Sequence, residues 1–466
     1  MRRVGEILGV VTQAVVLLGV VGFIALVCLE LRRDTLGIAP FETPPPMQAM
    51  GYSPQVAMRR FRSATDRVID AATTAYLPEG RLPLQLMEPN SERIDFEAPA
   101  LGLSLAMTVS AVRRTIGSPE PRLEGEFVCA APGCADGRVA LELRLLVDGS
   151  WRTLTSPPVL ASAPAALDGY IEAAAAGVLE HRLPVVAASY HLRAGDAAAA
   201  ERIAARVAEG PREERKWGEN LLGILRFDEG DPEGARAHYE RALALDPGFA
   251  VAANNLALLA LATGDAKEAA RRIDAAVAAR PAYPAAHVNA AYIRAVLGDF
   301  DRALESAREA ARLDPDGAEA QLALGGVLGQ RGVAAATTGG DASADFAAAE
   351  RAYGDALLRD PGNVMAEAGV AQLHALRQDH EAAVAVYERI AARGEPPPVV
   401  LAAWAASLVE LGDRDAAAEK LRALLCARGA PASGFARGAL EQARASGLAL
   451  ARQAGLCGAL PGACGC

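Results

Sequence analysis

Cysteine is the residue type in this sequence with the most evident chemistry. Seven cysteines are present, and one of them, Cys28, lies in an apolar N-terminal run. The other six are candidates for disulfides: Cys129, Cys134, Cys426, Cys457, Cys464 and Cys466. Their even number and close spacing are typical of disulfides in an oxidising compartment, although spacing does not give the connectivity. Free thiols are the first alternative and a metal site the second, because Cys129 and Cys134 lack two further ligands nearby.

The histidines and the known catalytic motifs do not indicate an enzyme. Of six histidines only His374 and His380 lie close together, and a six-residue spacing does not place two ligands on one helical face. The sequence contains no Gly-x-x-x-x-Gly-Lys loop, no His-Glu-x-x-His motif and no Gly-x-Ser-x-Gly elbow. We therefore predict a protein without catalytic residues, metal or other cofactor.

The charge pattern argues against a nucleic-acid partner. The formal net charge is −10, and acidic and basic residues are mixed along the chain. Phosphate backbones bind to concentrated basic surfaces, so nucleic acid is not expected to bind. The composition, 52% hydrophobic and rich in alanine, is instead typical of closely packed helices. Abundant arginine with few lysines indicates a GC-rich bacterial genome.

The first element that would position a site is an apolar N-terminal segment. Residues 7–29 are apolar except for Thr12 and Gln13, and a helix of this length reaches roughly 35 Å, which can span a bilayer. We predict an uncleaved transmembrane anchor over residues 1–35. A cleaved signal peptide is the alternative, but the run exceeds the usual length of its apolar region. The bulky residues before Cys28 do not suit lipidation.

The orientation of this anchor depends on indirect arguments. The arginines close to its two ends nearly balance, and long domains translocate largely regardless of charge. The paired cysteines favour an oxidising space for the rest of the chain. We predict a single-pass protein of the inner (plasma) membrane, with a cytoplasmic N-terminus and the bulk of the chain periplasmic or otherwise extracytoplasmic.

A proline-rich segment and a small mixed domain follow the anchor. Residues 36–54 contain five prolines, which disfavour helix and predict an extended stalk. Residues 55–165 are predicted to form a small α+β domain. Helical and alternating patterns place its helices and a three-strand meander at residues 54–76, 101–116, 122–129, 139–147 and 151–155. Cys129 and Cys134 would lie at the ends of the first hairpin loop.

A period of 34 residues runs through the C-terminal half. It is marked by prolines and by Gly-Asp pairs: Pro247, Pro281, Pro315, and Gly230-Asp231, Gly264-Asp265, Gly298-Asp299. Alanines recur at the same interval, and the unit from Lys216 adds Leu222-Gly223 and Tyr239. This period and these residues resemble the tetratricopeptide-repeat family. Together with the predicted anchor, they predict a membrane-anchored bacterial protein of this family.

The resemblance implies a mainly α fold, a right-handed superhelical α-solenoid over residues 166–452. The units from Lys216, Ala250, Pro284 and Ala318 match well, and those from about His181, Val364 and Pro398 match less closely. A 12-residue insertion in the unit from Ala318 is predicted as a polar, flexible loop near residues 337–343. A capping helix is expected near residues 433–452, followed by a cysteine-containing tail over residues 453–466.

The resemblance also implies a peptide-binding groove lined by the first helices of the units. Asn255 and Asn289 occupy the same position of adjacent units, and in relatives with an asparagine ladder such amides bond the backbone of an extended peptide. The alternative is that each amide satisfies a neighbouring carbonyl. Trp217 and Tyr292 are predicted to line the same groove, although each could pack between helices. Glu319 stands where a carboxylate-clamp relative has a basic residue, so a chaperone C-terminus is a poor candidate ligand.

These features predict a membrane-anchored scaffold or adaptor whose groove binds a protein or an extended peptide in a cell-envelope assembly. The alternative is an envelope sensor or ligand-binding protein in which the α+β domain takes a small molecule or polysaccharide. A third class, an enzyme in the α+β domain, has no residue constellation to support it.

Overall fold

Two folded units make up the described part of the chain. The computed structural model describes residues 18, 20–29, 35–76, 85–87, 97–98, 103–116, 121–147, 149–156, 159–160, 164–426 and 434–460. The units are Met1–Ile203 and Ala204–Cys466. The first contains the β-sheets, and the second is helical.

The main sheet of the first unit has the strand order β2-β1-β5-β6-β7, and β8 pairs with β6. The strands of the first unit as a whole are β1 (Thr35–Ile38), β2 (Gln85–Met87), β3 (Glu97–Ala98), β4 (Leu103–Ser104), β5 (Arg122–Cys129), β6 (Arg138–Val147), β7 (Ser150–Thr155) and β8 (Val159–Leu160). β1 runs parallel to β2 and β5, whereas β5, β6 and β7 form the predicted antiparallel meander. The alternating pattern buries one face, on which Leu123 pairs with Leu145 and Phe127 with Leu141.

Helices make up the rest of the described first unit. They are α1 (residues 20–29), α2 (Pro45–Ala49), α3 (Pro54–Tyr76), α4 (Leu105–Thr115), α5 (Pro164–Arg182), α6 (Pro184–Arg193) and α7 (Ala197–Glu209), which crosses into the second unit. α3 has the predicted bounds and packs against α5 and α6, and α5 packs against β6 and β8. Two ion pairs join α3 to α5, Arg60 with Asp168 at 2.5 Å and Arg67 with Glu172 at 3.0 Å.

The predicted extended stalk is wrong, because residues 36–54 belong to the first unit. β1 lies between β2 and β5, and Phe41 and Met47 are fully buried. The Phe41 ring packs on Phe61 with centroids 5.2 Å apart, and it also lies where a side chain at position 125 would be. Proline density excluded long helix here, but the apolar residues between the prolines are packed in a core.

The predicted membrane anchor lies largely outside the described residues, which include only residue 18, residues 20–29 and residue 35 of it. Within the described ranges, no helix combines the length and the apolar character that crossing a membrane requires. The anchor and its orientation stay predictions.

The second unit consists of paired antiparallel helices. After α7 they are α8 (Arg212–Glu229), α9 (Pro232–Leu245), α10 (Ala250–Ala262), α11 (Ala266–Ala279), α12 (Pro284–Val296), α13 (Phe300–Leu313), α14 (Ala318–Thr337), α15 (Ser343–Arg359), α16 (Val364–Leu376), α17 (His380–Ala391), α18 (Pro398–Glu410), α19 (Arg414–Cys426) and α20 (Gly434–Gln453). The even-numbered helices from α8 to α18 are the first helices of the repeats. α20 is the predicted capping helix.

The repeated Gly-Asp pair makes the turn inside each helix pair. Gly230, Gly264 and Gly298 end first helices with φ of 85°, 86° and 77°, a left-handed conformation that glycine adopts at low cost. The following aspartates cap the second helices, as when Asp231 Oδ1 accepts a hydrogen bond from the Gly234 N–H at 2.9 Å. In the less closely matching unit from Val364, Gln378 stands where the other units have glycine. It adopts the left-handed conformation with φ 65°, which costs on the order of 1 kcal/mol.

The loop predicted near residues 337–343 lies at residues 338–342, but most of the 12-residue insertion lengthens the two helices and not the loop. α14 has 20 residues where α12 has 13, and α15 has 17 where α13 has 14, which accounts for seven plus three residues. The loop over residues 338–342 is only two residues longer than that over 297–299. Arg331 and Asp345 tie the lengthened helices together through two contacts of 2.9 and 2.5 Å.

Candidate functional site

Four asparagines on three successive first helices form a chain of side-chain hydrogen bonds, here called the amide ladder: Asn220 of α8, Asn254 and Asn255 of α10, and Asn289 of α12. Asn289 Nδ2 donates to Asn254 Oδ1 at 2.8 Å, and Asn254 Nδ2 donates to Asn255 Oδ1 at 3.4 Å. Asn255 Nδ2 donates to Asn220 Oδ1 at 2.9 Å. Asn220 and Asn254 are buried. The ladder therefore links three repeats through two buried and two half-buried amides.

The predicted groove residues Asn255 and Asn289 are two members of this ladder. Each donates to an asparagine of the preceding first helix, at a separation of 35 residues. One N–H of each amide is therefore already used, which leaves less capacity for a peptide backbone than two free amides would have. Asn220 Nδ2 is buried and has no hydrogen-bond partner in the part of the chain that the structure describes.

The two predicted aromatic groove residues have different surroundings. Trp217 packs edge-on against Phe249, with ring centroids 4.7 Å apart, in a cluster with Ala242 and Val251. Its role is packing between neighbouring helices. Tyr292, by contrast, lines a cavity on the first helices.

This cavity has a volume of about 720 Å³ and lies between the first helices α12, α14, α16 and α18. Its lining includes Tyr292 from α12; Leu322, Gly326, Gly329, Gln330 and Val333 from α14; Met365, Ala368, Gln372 and Leu376 from α16; and Val399 and Ala403 from α18. None of these residues is charged. Because most of them recur at intervals of three and four residues, they occupy one face of each helix. We call the surface formed by these faces of the first helices the first-helix face.

Two glycines of α14 give the cavity its space. A β-carbon at Gly326 would lie 3.5 Å from Tyr292 Cε1, and one at Gly329 would lie 3.9 Å from Tyr353 Oη. Both are ordinary contacts, so packing within the chain does not require glycine at either position. Gly325 and Gly369 differ, because a β-carbon there would lie 2.6 Å from Cδ1 and 2.7 Å from Cε1 of the Tyr353 ring. Gly326 and Gly329 thus have no structural explanation except the open volume beside them.

The cavity also offers a few polar groups. The hydroxyls of Tyr292 and Tyr353 and the amides of Gln330 and Gln372 form no hydrogen bond with any described residue. Burial raises the pKa of Tyr353 to about 12, and burial, together with the proximity of Tyr353 and Glu319, raises the pKa of Tyr292. Both phenols therefore stay neutral at physiological pH and can donate a hydrogen bond. The site suits an apolar ligand that accepts a few hydrogen bonds.

A second pocket, of about 450 Å³, lies on the solvent face of the sheet in the first unit. Glu126 faces Glu142 across the β5–β6 pair, and Glu42 lies beside Glu126. Arg144 pairs with Glu124 at 3.3 Å. Across the described ranges no group of three or more His, Cys, Asp or Glu side chains has a geometry that could hold a metal ion.

The cysteines are only partly described. Cys129 and Cys134 form a disulfide that closes the loop between β5 and β6. Cys457 is also disulfide-bonded, whereas the side chain of Cys426 and the residues Cys464 and Cys466 lie outside the description. Cys28 is free and exposed.

The residues that make the cavity were not predicted from the sequence. Gly326, Gly329 and Tyr353 were not among the predicted site residues, because each fits the small-and-large pattern of paired helices. A usable signal was present, since the first helix of this unit contains Leu324-Gly325-Gly326-Val327-Leu328-Gly329. Glycine in a helix interior costs about 1 kcal/mol relative to alanine, so three in six residues call for an explanation.

Comparisons with known proteins identify the repeats. Models of the tetratricopeptide repeat match residues 226–291, 288–336 and 341–396. No curated protein matches the chain. The repeats predicted from the 34-residue period are therefore confirmed over residues 226–396.

Several solved structures are similar at low identity. A tetratricopeptide repeat protein from Parabacteroides merdae is 15% identical, with 58% of this chain and 99% of that chain covered and a TM-score of 0.44. PilF of Pseudomonas aeruginosa is 21% identical, with 45% and 90% covered and a TM-score of 0.36. TTC0263 of Thermus thermophilus, also a tetratricopeptide-repeat protein, is 20% identical, with 42% and 99% covered and a TM-score of 0.36.

Proposed function

We propose that this chain is a non-enzymatic scaffold that binds an extended peptide segment of another protein on its first-helix face. Proteins with tetratricopeptide repeats generally act as protein-binding scaffolds or adaptors. The observation that carries the proposal for this chain is the uncharged cavity of about 720 Å³, which crosses four first helices. Pockets of this size and lining bind ligands by burying apolar groups.

The amide ladder has a supporting role in this proposal. It links α8, α10 and α12 through partly buried hydrogen bonds, so that the first-helix face begins from a fixed set of helices. Asn289 Oδ1 accepts no hydrogen bond from a described residue. It is thus available to accept one from the backbone of a bound peptide.

We further propose that the scaffold operates at the cell envelope, anchored in the inner membrane by residues 7–29 with its N-terminus in the cytoplasm. Two observations support this. The segment is long and apolar enough in sequence to span a bilayer. The Cys129–Cys134 disulfide is of a kind that persists in oxidising compartments, which favours an extracytoplasmic location for the first unit.

Peptide binding can be tested by selecting random 12-residue displayed peptides on the full-length chain and measuring the affinity of synthetic copies. Gly329→Leu fills the cavity and is expected to weaken binding by more than about tenfold, since burying one large apolar side chain is worth 1.5–3 kcal/mol. Gly354→Leu is the matched control, because Gly354 is a helical glycine of α15 with open space around it. Unchanged affinity in Gly329→Leu, or failure to select any peptide, would overturn the proposal.

Location can be tested with a reporter fused after Gln453. Alkaline phosphatase, which needs an oxidising compartment, is expected to be active there, and β-galactosidase inactive. The opposite result would place the repeats in the cytoplasm and refute the envelope proposal without affecting the peptide proposal.

A further inference from the structure

The first-helix face carries acidic residues but no basic ones. We number each repeat unit from its first residue, so that the first-helix face consists of positions 2, 5, 9, 12 and 13. No lysine or arginine stands at these positions in the units from Lys216, Ala250, Pro284, Ala318, Val364 and Pro398. They include Glu319 on α14 and Glu410 on α18. Neither carboxylate has an ion-pair partner among the described residues.

Glu319 lies at the edge of the cavity. It precedes the lining residue Leu322 by three positions, which places both on one side of α14. Its charge is close enough to Tyr292, another lining residue, to act on the phenol of that side chain. Glu319 is exposed, so its carboxylate is hydrated as long as the cavity has no ligand.

Large apolar side chains surround the same opening. Met365 is 44% exposed and Val399 is 46% exposed, and both line the cavity. Val296, on the last turn of α12, is 58% exposed. These residues come from three different first helices, so the apolar surface extends beyond the cavity itself. An occupant longer than a single side chain would cover more of it.

A ligand that covers this surface also changes the surroundings of Glu319. An apolar ligand without charge would displace water from the carboxylate without providing a hydrogen bond or an opposite charge, which costs free energy. An acidic ligand would add repulsion. A cation placed against Glu319 would offset the lost hydration.

We propose that the occupant is a partner-protein segment with two features: one or two large apolar side chains that enter the cavity, and a lysine or arginine that pairs with Glu319. This inference rests on the proposed peptide-binding function and specifies its ligand class. It also separates the chain from carboxylate-clamp relatives, whose basic residues hold an acidic C-terminus.

The test uses the full-length chain and a peptide selected from the random library, synthesised in matched forms. One form keeps its basic residue, one has glutamine there, and one has glutamate. The wild-type chain is expected to bind the basic form two- to fivefold more tightly than the glutamine form, as exposed ion pairs do, and the glutamate form most weakly. In Glu319→Lys the order is expected to reverse.

Glu388→Lys is the control for net charge. Glu388 lies on α17, a second helix, and is exposed, so the substitution changes the total charge equally while leaving the first-helix face intact. The order of the three peptides should be unchanged in this variant. If Glu388→Lys reversed the order as well, long-range attraction by a chain of net charge −10 would explain the preference, and the inference would fail.

Other outcomes separate this inference from the proposed function. If selected peptides bind and Gly329→Leu weakens them, but their affinity is the same with lysine, glutamine or glutamate, the pairing with Glu319 is refuted and peptide binding survives. If no peptide binds while the apolar dye 1-anilinonaphthalene-8-sulfonate binds in a Gly329-dependent way, the cavity is a small-molecule site and both proposals are overturned.

Discussion

The first-helix face is filled over α8 and α10 and open over α14 and α16, although one repeat register runs through all four helices. At position 9 the filled part has Ile224 and Leu258 where the open part has Gly326 and Gln372. At position 12, Phe227 and Leu261 stand against Gly329 and Ala375. The packing of the two helices within a repeat determines which residues lie on this face. It does not restrict the size of their side chains.

The two regions also differ in how their polar groups are satisfied. Buried and half-buried amides in the filled part bond one another across three helices. In the open part the hydroxyls of Tyr292 and Tyr353 face the cavity without a partner among the described residues. Under the proposed function, the filled part stabilises the array and the open part binds the peptide. Substitutions should therefore change stability and binding in different proportions in the two regions.

The largest expected effect comes from removing the ring that bounds the cavity. Tyr353→Ala should lower the free energy of unfolding by about 3–5 kcal/mol, because the ring packs between Gly325 of one repeat and Gly369 of the next. Urea unfolding of the full-length chain measures this. Tyr353→Phe is the control and should cost under about 0.5 kcal/mol, since the hydroxyl has no hydrogen-bond partner to lose among the described residues. Equal losses in both variants would contradict this account.

A smaller loss is expected when the same ring is crowded. Gly369→Ala places a β-carbon inside contact distance of Tyr353 and should destabilise the chain by about 1–3 kcal/mol, even though alanine is the better helix former. Thermal unfolding is a sufficient measurement. A melting temperature at or above that of the unsubstituted chain would show that the ring can move aside.

The filled region is tested by breaking the amide ladder. Asn254→Ala removes the acceptor of Asn289 and the donor to Asn255, and it should cost about 1–3 kcal/mol because the half-buried amides of both neighbours lose a hydrogen-bond partner. Gln372→Ala removes an exposed amide from the open region and should cost under about 0.5 kcal/mol. Similar values for the two variants would remove the proposed difference between the regions.

The smallest effect has the opposite sign. Gly329→Ala should raise the free energy of unfolding by about 0.5–1 kcal/mol, because alanine favours helix and meets no close contact here. Gly354→Ala should stabilise by a similar amount. Only Gly329→Ala is expected to weaken the selected peptides as well, which calorimetric titration would measure. Destabilisation by Gly329→Ala would indicate that the backbone, and not the cavity, requires this glycine.

Much of the repeat architecture could be predicted from sequence, because its determinants are local. A glycine that ends one helix and an aspartate that caps the next are separated by no other residue, so Gly230-Asp231 and its equivalents are readable as turns. The meander was readable for the same reason, since Leu123 to Phe127 alternate strictly between two faces.

The rest depends on contacts between residues far apart in the chain. Phe41 is buried by Phe61 and the sheet, which a local proline pattern does not reveal. The hydrogen bonds of the amide ladder join residues at a 35-residue offset, one more than the repeat period, so equivalent positions give the pairs Asn220 and Asn254, and Asn255 and Asn289, but not which amides bond each other. The cavity arises from the absence of side chains at Gly326 and Gly329. No periodicity identifies such a gap.

The lengthened α14–α15 pair also has a consequence for how the second unit folds. In a repeat array each unit contacts its neighbours, and folding can begin at any unit and propagate. The helices of 20 and 17 residues, joined over the loop 338–342, form the longest helix pair of the described repeats, and their contacts are local in sequence, which favours rapid formation. We expect folding to start in this hairpin and to spread outward in both directions, so that α14, the central wall of the cavity, is among the first helices to form.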